Sequence, residues 1–364
     1  MKITPYTLIL LLFSMSTFAT NKTMSIILDS EINELTNKNC FKDWTDDLEQ
    51  KGYLISYHPV KKQEQNLKTY KSILKEYSPD TLFFLGDLKL PKLDLIQKNL
   101  KDRSKNIIVK TETIFPLFSE NKFPHQGKDI SNSYMRSLKT SVGVLNLIFH
   151  RAPNYSKKGL IHQYCEYFKK SLRYKNCERA DKLNIASMVD KDFTQLENDI
   201  YQLSSHAKKY SHLTDILQKD NLDFAFIAAH ANSKKIYYGK GENKQTLSVG
   251  SLVKMNISTR FLNLYSCRVF EDNSKYSIGK AFIGSKSKTL GVIGSTKTGA
   301  LAYPKIFFDL LKKGYTFSDA LMRYTRFYAT SYGVRNSYLD NNGNHGGLIF
   351  YGDPTLSLHT CRDE

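Results

Sequence analysis

Acidic residues are scarce in this chain: 35 Asp and Glu stand against 53 Lys and Arg over 364 residues, a formal charge of +18 at pH 7. Such an imbalance draws anionic partners over long range, whether nucleic acid, an anionic envelope surface or acidic proteins, and does not choose among them. The lysines are spread along polar helical faces such as residues 61–75 rather than gathered in one block, so no specific nucleic-acid partner is expected. Long apolar runs are absent after the first twenty residues, which excludes a membrane helix from the mature chain. Also absent are a Gly-x-Ser-x-Gly elbow, a phosphate-cradling glycine loop and a paired-cysteine zinc pattern, and with them the chemistries those signatures carry. No internal repeat or low-complexity segment is visible.

What is present starts with Lys2, the apolar run Leu8-Ile9-Leu10-Leu11-Leu12-Phe13, and Thr17-Phe18-Ala19. A charged start, an apolar region too short to span a bilayer and a small-x-Ala site make residues 1–19 a secretory signal peptide. The mature chain is then expected to be secreted or periplasmic. Cysteines number only five, and in an exported chain an odd count leaves one thiol over when the others pair. Cys267 is expected to be the free thiol, with Cys40, Cys165, Cys177 and Cys361 buried or paired. Four cysteines allow three connectivities, and the sequence selects none.

Strand and helix alternate through the remainder. Apolar runs at 25–28, 53–57 and 81–85 enclose amphipathic stretches around Trp44 and over 67–77, the pattern of an α/β fold with a parallel sheet and right-handed crossovers. Residues 20–150 form a smaller N-terminal α/β subdomain, to which 106–109 and 141–145 add edge strands. Residues 151–364 form a second unit, entered through a basic, tyrosine-bearing helix over 160–174. Its strands fall at 182–189, 224–229, 261–265, 289–294 and 347–351. Its helices are expected over 193–210, 303–313 and 317–328.

Two of those strands end in residues that can do chemistry. The run Phe224-Ala225-Phe226-Ile227-Ala228-Ala229 delivers His230 into a polar, turn-prone segment, and Phe261-Leu262-Asn263-Leu264-Tyr265 delivers Ser266-Cys267 into a loop. Ligands in open α/β sheets bind beyond the carboxyl ends of the strands, so neighbouring strands ending in His and Cys aim both at one cleft. A thiol near its ordinary pKa is only about a few per cent thiolate at neutral pH, and an adjacent imidazole or a helix N-terminus raises that fraction. Ile278, Ala281, Phe282 and Ser285 share a face at helical spacing, which would set Cys267 just before the positive end of a helix starting near Asn273. Each residue alone reads as an inert buried Cys or a satisfied core His; the pairing of two strand ends carries the catalytic reading. Two weaker patterns fall away. Gly86-Asp87 with Gly343-Asn344-His345 lacks the acids of a metallophosphoesterase site. The loop over 340–344 lacks the closing acid of a calcium loop and reads as a turn.

These residues carry a resemblance. His at one strand end, Ser266-Cys267 at the next, Val292-Ile293-Gly294-Ser295-Thr296, and the closing Tyr351-Gly352-Asp353-Pro354-Thr355-Leu356 resemble the gingipain family of caspase-like cysteine peptidases. Ser78-Pro79-Asp80, Gly86-Asp87 and Val142-Gly143 extend the likeness over nearly the whole mature chain. The resemblance implies a three-layer αβα sandwich preceded by the smaller subdomain, and a cysteine endopeptidase acting on protein or peptide substrates. It makes Cys267 the nucleophile, His230 the general base and acid, and the backbone N–H groups of Ala231 and Cys267 the oxyanion hole. Ser295, Thr296 and Leu301 would line the substrate site. Asp192, with Asp190 as the nearest alternative, would be the acid that selects a basic residue before the scissile bond, as in relatives that cleave after Arg or Lys. On spacing alone Asp192 and Gln195 also fit a capping box. No cofactor is implied, although a structural calcium is allowed. The chain departs from the family pattern in three places: Ala229 and Ala231 replace glycines beside His230, Leu301 stands where an aromatic is common, and Gly143-Val144 replaces Gly-Arg. Alanine keeps its N–H but resists backbone conformations open to glycine. The rival expectations are a catalytically silent relative that serves as a surface or partner-binding module, and an exported basic protein that binds polyanions.

Overall fold

The computed structural model describes residues 21–98, 106–112, 139–147, 156–204, 206–218, 221–271, 277–284, 287–297, 304–332 and 347–361. The expected signal peptide, Ser285, Leu301, the loop over 340–344 and His345 lie outside the described residues. The strands are β1 Lys22–Asp29, β2 Tyr53–Val60, β3 Thr81–Leu85, β4 Lys92–Lys98, β5 Asn106–Glu112, β6 Ser141–Leu145, β7 Arg179–Ala180, β8 Ile185–Val189 and β9 Lys208–Lys209. They continue with β10 Phe224–Ala228, β11 His230–Ala231, β12 Lys235–Tyr238, β13 Gln245–Ser248, β14 Phe261–Tyr265, β15 Gly291–Ser295, β16 Leu348–Gly352 and β17 Thr360–Cys361.

Ten of them make one sheet in the order β2-β1-β3-β6-β16-β15-β14-β10-β8-β9. Every pairing in it is parallel except β15 with β16, so two parallel halves meet at one antiparallel seam. Helices cover both faces: α1 Asn39–Gln50, α2 Leu67–Tyr77, α3 Lys157–Lys175, α4 Glu197–Leu203, α5 Leu213–Gln218, α6 Val249–Leu252, α7 Ile278–Ala281, α8 Pro304–Lys312 and α9 Phe317–Tyr332. This is a three-layer αβα sandwich. Strand β10 shows why its residues read as a continuous apolar run. Phe224, Phe226 and Ala228 pack with Ile200, Phe307, Phe308, Phe317 and Tyr324. The alternate Ala225, Ile227 and Ala229 pack with Leu213, Ile216, Leu217 and Leu252. A strand covered on both faces has no polar alternation to show.

The closing Gly-Asp-Pro-Thr-Leu segment is a structural knot. Asp353, fully buried, accepts from Trp44 Nε1 at 2.7 Å and Ser171 Oγ at 2.6 Å, and lies 2.9 Å from Lys175 Nζ. Its other oxygen takes the Thr355 N–H and hydroxyl, and its own N–H donates to Tyr167 Oη at 2.6 Å. One carboxylate thus ties α1 and α3 to the end of β16. Gly143 belongs to the same knot, because a Cβ there would lie 2.8 Å from the Pro354 ring.

Several expectations need correction. Residues 141–145 lie inside the sheet, between β3 and β16, rather than at an edge. β5 leaves the main sheet and pairs antiparallel with β4, a strand the apolar pattern did not mark. The second unit's first strand starts at Ile185 rather than Lys182. The helix expected over 193–210 is a 3-10 turn over Lys191–Leu196 followed by α4, which stops at Leu203. Phe193 has non-helical angles and Ser204 is extended, so the run breaks at both places.

Candidate active site

β10 and β14 are adjacent and parallel, with Ala228 paired to Tyr265. His230 and Cys267 each stand two residues beyond that pair, so the shared register carries both to the same edge of the sheet. Adjacent strands lie about 4.8 Å apart. The strand ends are locked together: Ala229 N–H donates to Tyr265 O at 3.3 Å, and the buried Ser266 hydroxyl donates to Ala229 O at 2.7 Å. Ser266, in sequence only the neighbour of the thiol, joins the histidine-bearing strand to the cysteine-bearing one.

Cys267 is the free, half-buried cysteine, while Cys40–Cys165 and Cys177–Cys361 are disulfides. After Cys267 the chain turns through Arg268 at φ 59. A left-handed non-glycine residue costs about 1–2 kcal/mol. Three contacts offset that cost: Arg268 N–H donates to Lys297 O at 2.9 Å, its carbonyl accepts from Glu271 N–H, and its guanidinium pairs with the Glu271 carboxylate. Gly294 under this turn carries no side chain, and a Cβ there would lie 2.4 Å from Val269 Cγ2. The expected start of the helix near Asn273 lies outside the described residues, which resume at Ser277. The four-residue α7 spends its first N–H groups on Ser233 O and Val269 O.

His230 begins a small antiparallel sheet, β11-β12-β13. Asn232 N–H donates to Lys235 O at 2.9 Å. Hydrogen-bonded and non-bonded pairs alternate in antiparallel ladders, so the next pair, Ala231 with Ile236, is a non-bonded one. The Ala231 N–H therefore points away from β12, as an oxyanion donor must. The imidazole Nε2 lies 3.0 Å from Asp192 Oδ2. Asp192 Oδ1 accepts from Lys240 Nζ at 2.9 Å. These bonds, from His230 first and Lys240 second, hold the Asp192 carboxyl below the usual carboxylate range. The Phe193 ring sits against His230 and Tyr265, at 5.1 and 5.6 Å. Burial, with the Cys267 charge adding, pushes the Tyr265 phenol up.

The structure redistributes the two acids. Asp190, not Asp192, caps the 3-10 turn: it is buried, accepts from Asp192 N–H at 3.3 Å, and holds Gly239 N–H at 2.7 Å. The capping-box expectation for Asp192 is therefore overturned, and Asp192 points its carboxylate at His230. Ser295 and Thr296 are buried at the end of β15. The Thr296 N–H and hydroxyl both go to Gly347 O, and the Ser295 hydroxyl takes the Lys297 N–H. Both side chains hold the turn after β15 and its contact with Gly347. Lys297, beside them, has its ammonium pulled down to about 8 by burial.

A structural calcium takes oxygen ligands, and among the described residues no converging group of three Asp, Glu, His or Cys side chains offers them. The only group of three candidate ligands there is Cys177, His359 and Cys361, whose sulfurs are bonded to each other and whose donors are not the oxygens that calcium takes. Asp87 of the Gly86-Asp87 pair is structural, taking Asn146 Nδ2 at 3.0 Å while its N–H donates to Asp29. No helix among the described residues is long and apolar enough to cross a membrane.

Thiol reactivity should follow this partition. Alkylation of the unreduced mature protein is expected to modify Cys267 alone, and mass spectrometry should recover Cys40–Cys165 and Cys177–Cys361 as linked peptides. Cys267 found in a disulfide would remove it as a nucleophile.

No protein-family model matches the sequence, and no curated protein matches it either. A solved protease structure superposes with a TM-score of 0.59 at 13% identity, covering 93% of this chain and 79% of that one. At such identity the likeness is one of fold, and it agrees with a caspase-like sandwich.

Proposed function

We propose that the chain is an exported cysteine endopeptidase. The observation that carries this reading is the shared register of His230 and Cys267 on adjacent parallel strands, with Asp192 on the far nitrogen of the imidazole. Asp192 keeps the proton on Nε2, and Nδ1 takes the proton of Cys267. The thiolate attacks the scissile carbonyl, the N–H groups of Ala231 and Cys267 receive the developing oxyanion, and the imidazolium returns its proton to the leaving amine. The acyl-enzyme thioester left on Cys267 is then attacked by water, His230 takes the water's proton and returns it to the departing sulfur, and the carboxylic acid product leaves the free enzyme. Likeness of fold to a solved protease supports the peptidase reading, and two disulfides support export, since such bonds persist in oxidising compartments. The basic surface favours retention at an anionic envelope.

Arg or Lys is the preferred residue before the scissile bond. Asp192 supplies the carboxylate, one third exposed, and the aromatic faces of Phe193 and Tyr265 stand close by. A guanidinium suits both an acid and a ring face. Fluorogenic peptides that differ only at that residue test the preference. Cleavage after Arg and Lys is expected to lead; equal or faster cleavage after Leu or Asp overturns the assignment of Asp192.

A further inference from the structure

Asp192 has two oxygens and two different partners. Oδ2 is held 3.0 Å from the imidazole, where it orients the general base. Oδ1 is held 2.9 Å from the Lys240 ammonium, which no step of the proposed chemistry requires. Lys240 stands in the sequence Gly239-Lys240-Gly241 at the tip between β12 and β13. Both glycines have positive φ, +75 and +61, so the tip is built from conformations that side-chain-bearing residues avoid. It is also tethered, because Gly239 N–H donates to the buried Asp190 carboxylate at 2.7 Å. The lysine is thus delivered to Asp192 by a specific loop that belongs to the same small sheet as His230.

We propose that Lys240 stands in for the substrate: in the free protein its ammonium occupies the carboxylate oxygen that the incoming basic side chain takes, and substrate enters by exchange. The proposal rests on the reading of Asp192 as the selecting acid. Exchange is feasible because the ion pair is exposed, 57% for Lys240 and 33% for Asp192, and exposed pairs are worth little. An arginine substrate brings to Oδ1 a planar guanidinium that can also lie against a ring face, where Lys240 offers only a single point charge. Lys240 therefore acts as a specificity-determining residue, a weak internal competitor that disfavours poorly placed cations and leaves Oδ2 on His230 undisturbed.

Binding, rather than turnover, separates this idea from the rest. The Cys267→Ala protein is titrated with a fluorescein-labelled peptide carrying one arginine and with its leucine twin, read by anisotropy. Adding Lys240→Gln is expected to tighten the arginine peptide by about threefold to fivefold and leave the leucine peptide unchanged, whereas Lys240→Arg, which keeps the cation, is expected to change neither. Unchanged or weakened arginine binding in Lys240→Gln overturns the proposal. The underlying reading is judged separately: where Asp192→Asn erases a preference for arginine over leucine yet Lys240→Gln moves nothing, the occupancy proposal alone falls. Arginine and leucine peptides that bind alike in every variant sink both.

Discussion

Cys267→Ala is expected to reduce peptide hydrolysis by at least about a thousandfold, and His230→Ala by a similar factor, with the double variant scarcely worse than either. The expectation follows from a unit that acts as one: a thiol without its base is largely protonated at neutral pH, and an imidazole without the thiol has nothing to activate. Neither change should disturb the fold. His230 is more than half exposed, and Cys267 is half-buried on a turn held by backbone bonds to Lys297 and Ser295. Circular dichroism and thermal melting close to wild type, beside lost turnover, are therefore the expected pair of results. Cys267→Ala with wild-type turnover would remove the dyad. Additive losses would mean that the two residues serve separate steps. A wild-type protein that labels at Cys267 but cleaves no peptide would instead favour the surface-module reading.

Much of this site was legible because of how parallel strands are buried. A strand covered on both faces reads as a mostly apolar run whose end marks the edge of the sheet: β10 runs unbroken to His230, and β14, interrupted only by the buried Asn263, runs to Ser266-Cys267. The closing Asp353 segment was legible as a motif, although its reason is tertiary: the acid reaches Trp44, far away in sequence, and only the folded chain shows that. Strand order was not legible. Nothing in residues 141–145 says that they lie inside the sheet, because short, mostly apolar edge and interior parallel strands look alike. The contact between Asp192 and His230 joins the ends of the neighbouring strands β8 and β10 and could not be read from spacing; the local capping pattern points the wrong way, since Asp190 sits closer to the turn's first N–H groups. The hairpin carrying Lys240 had a signal that was passed over, two β-prone runs on either side of Gly-Lys-Gly. The long helix after Val189 failed because amphipathic spacing survives across Phe193 and Ser204, where the backbone leaves helical angles.

Asp353→Asn is expected to cost about 3–5 kcal/mol of stability at neutral pH, the largest effect of any single change outside the cleft. The substitution keeps the size of the side chain and part of its hydrogen bonding to Ser171, Trp44 and Thr355, but strips the counter-charge from Lys175, which is buried over the Trp44 ring at 4.9 Å. A buried ammonium with no carboxylate is the expensive state. Replacing both partners, as Asp353→Asn with Lys175→Met, should recover part of the loss, because two apolar or neutral groups need no pairing. The acid dependence follows from the same contacts. Burial pushes the Asp353 carboxyl up, but the charge of Lys175 and the bonds from Ser171 and Thr355 outweigh it and hold the group below its ordinary value of 3.8. With the folded pKa below the unfolded one, the contribution is fully present above the unfolded value and is lost as pH falls through the folded one. Urea unfolding of the wild type should therefore weaken steadily below about pH 4, and the Asp353→Asn protein should show a shallower decline over that range. A neutral-pH cost under about 1 kcal/mol, within the range of an ordinary surface substitution, or an acid limb of unchanged slope, would mean that this knot does not hold the two halves of the sheet together.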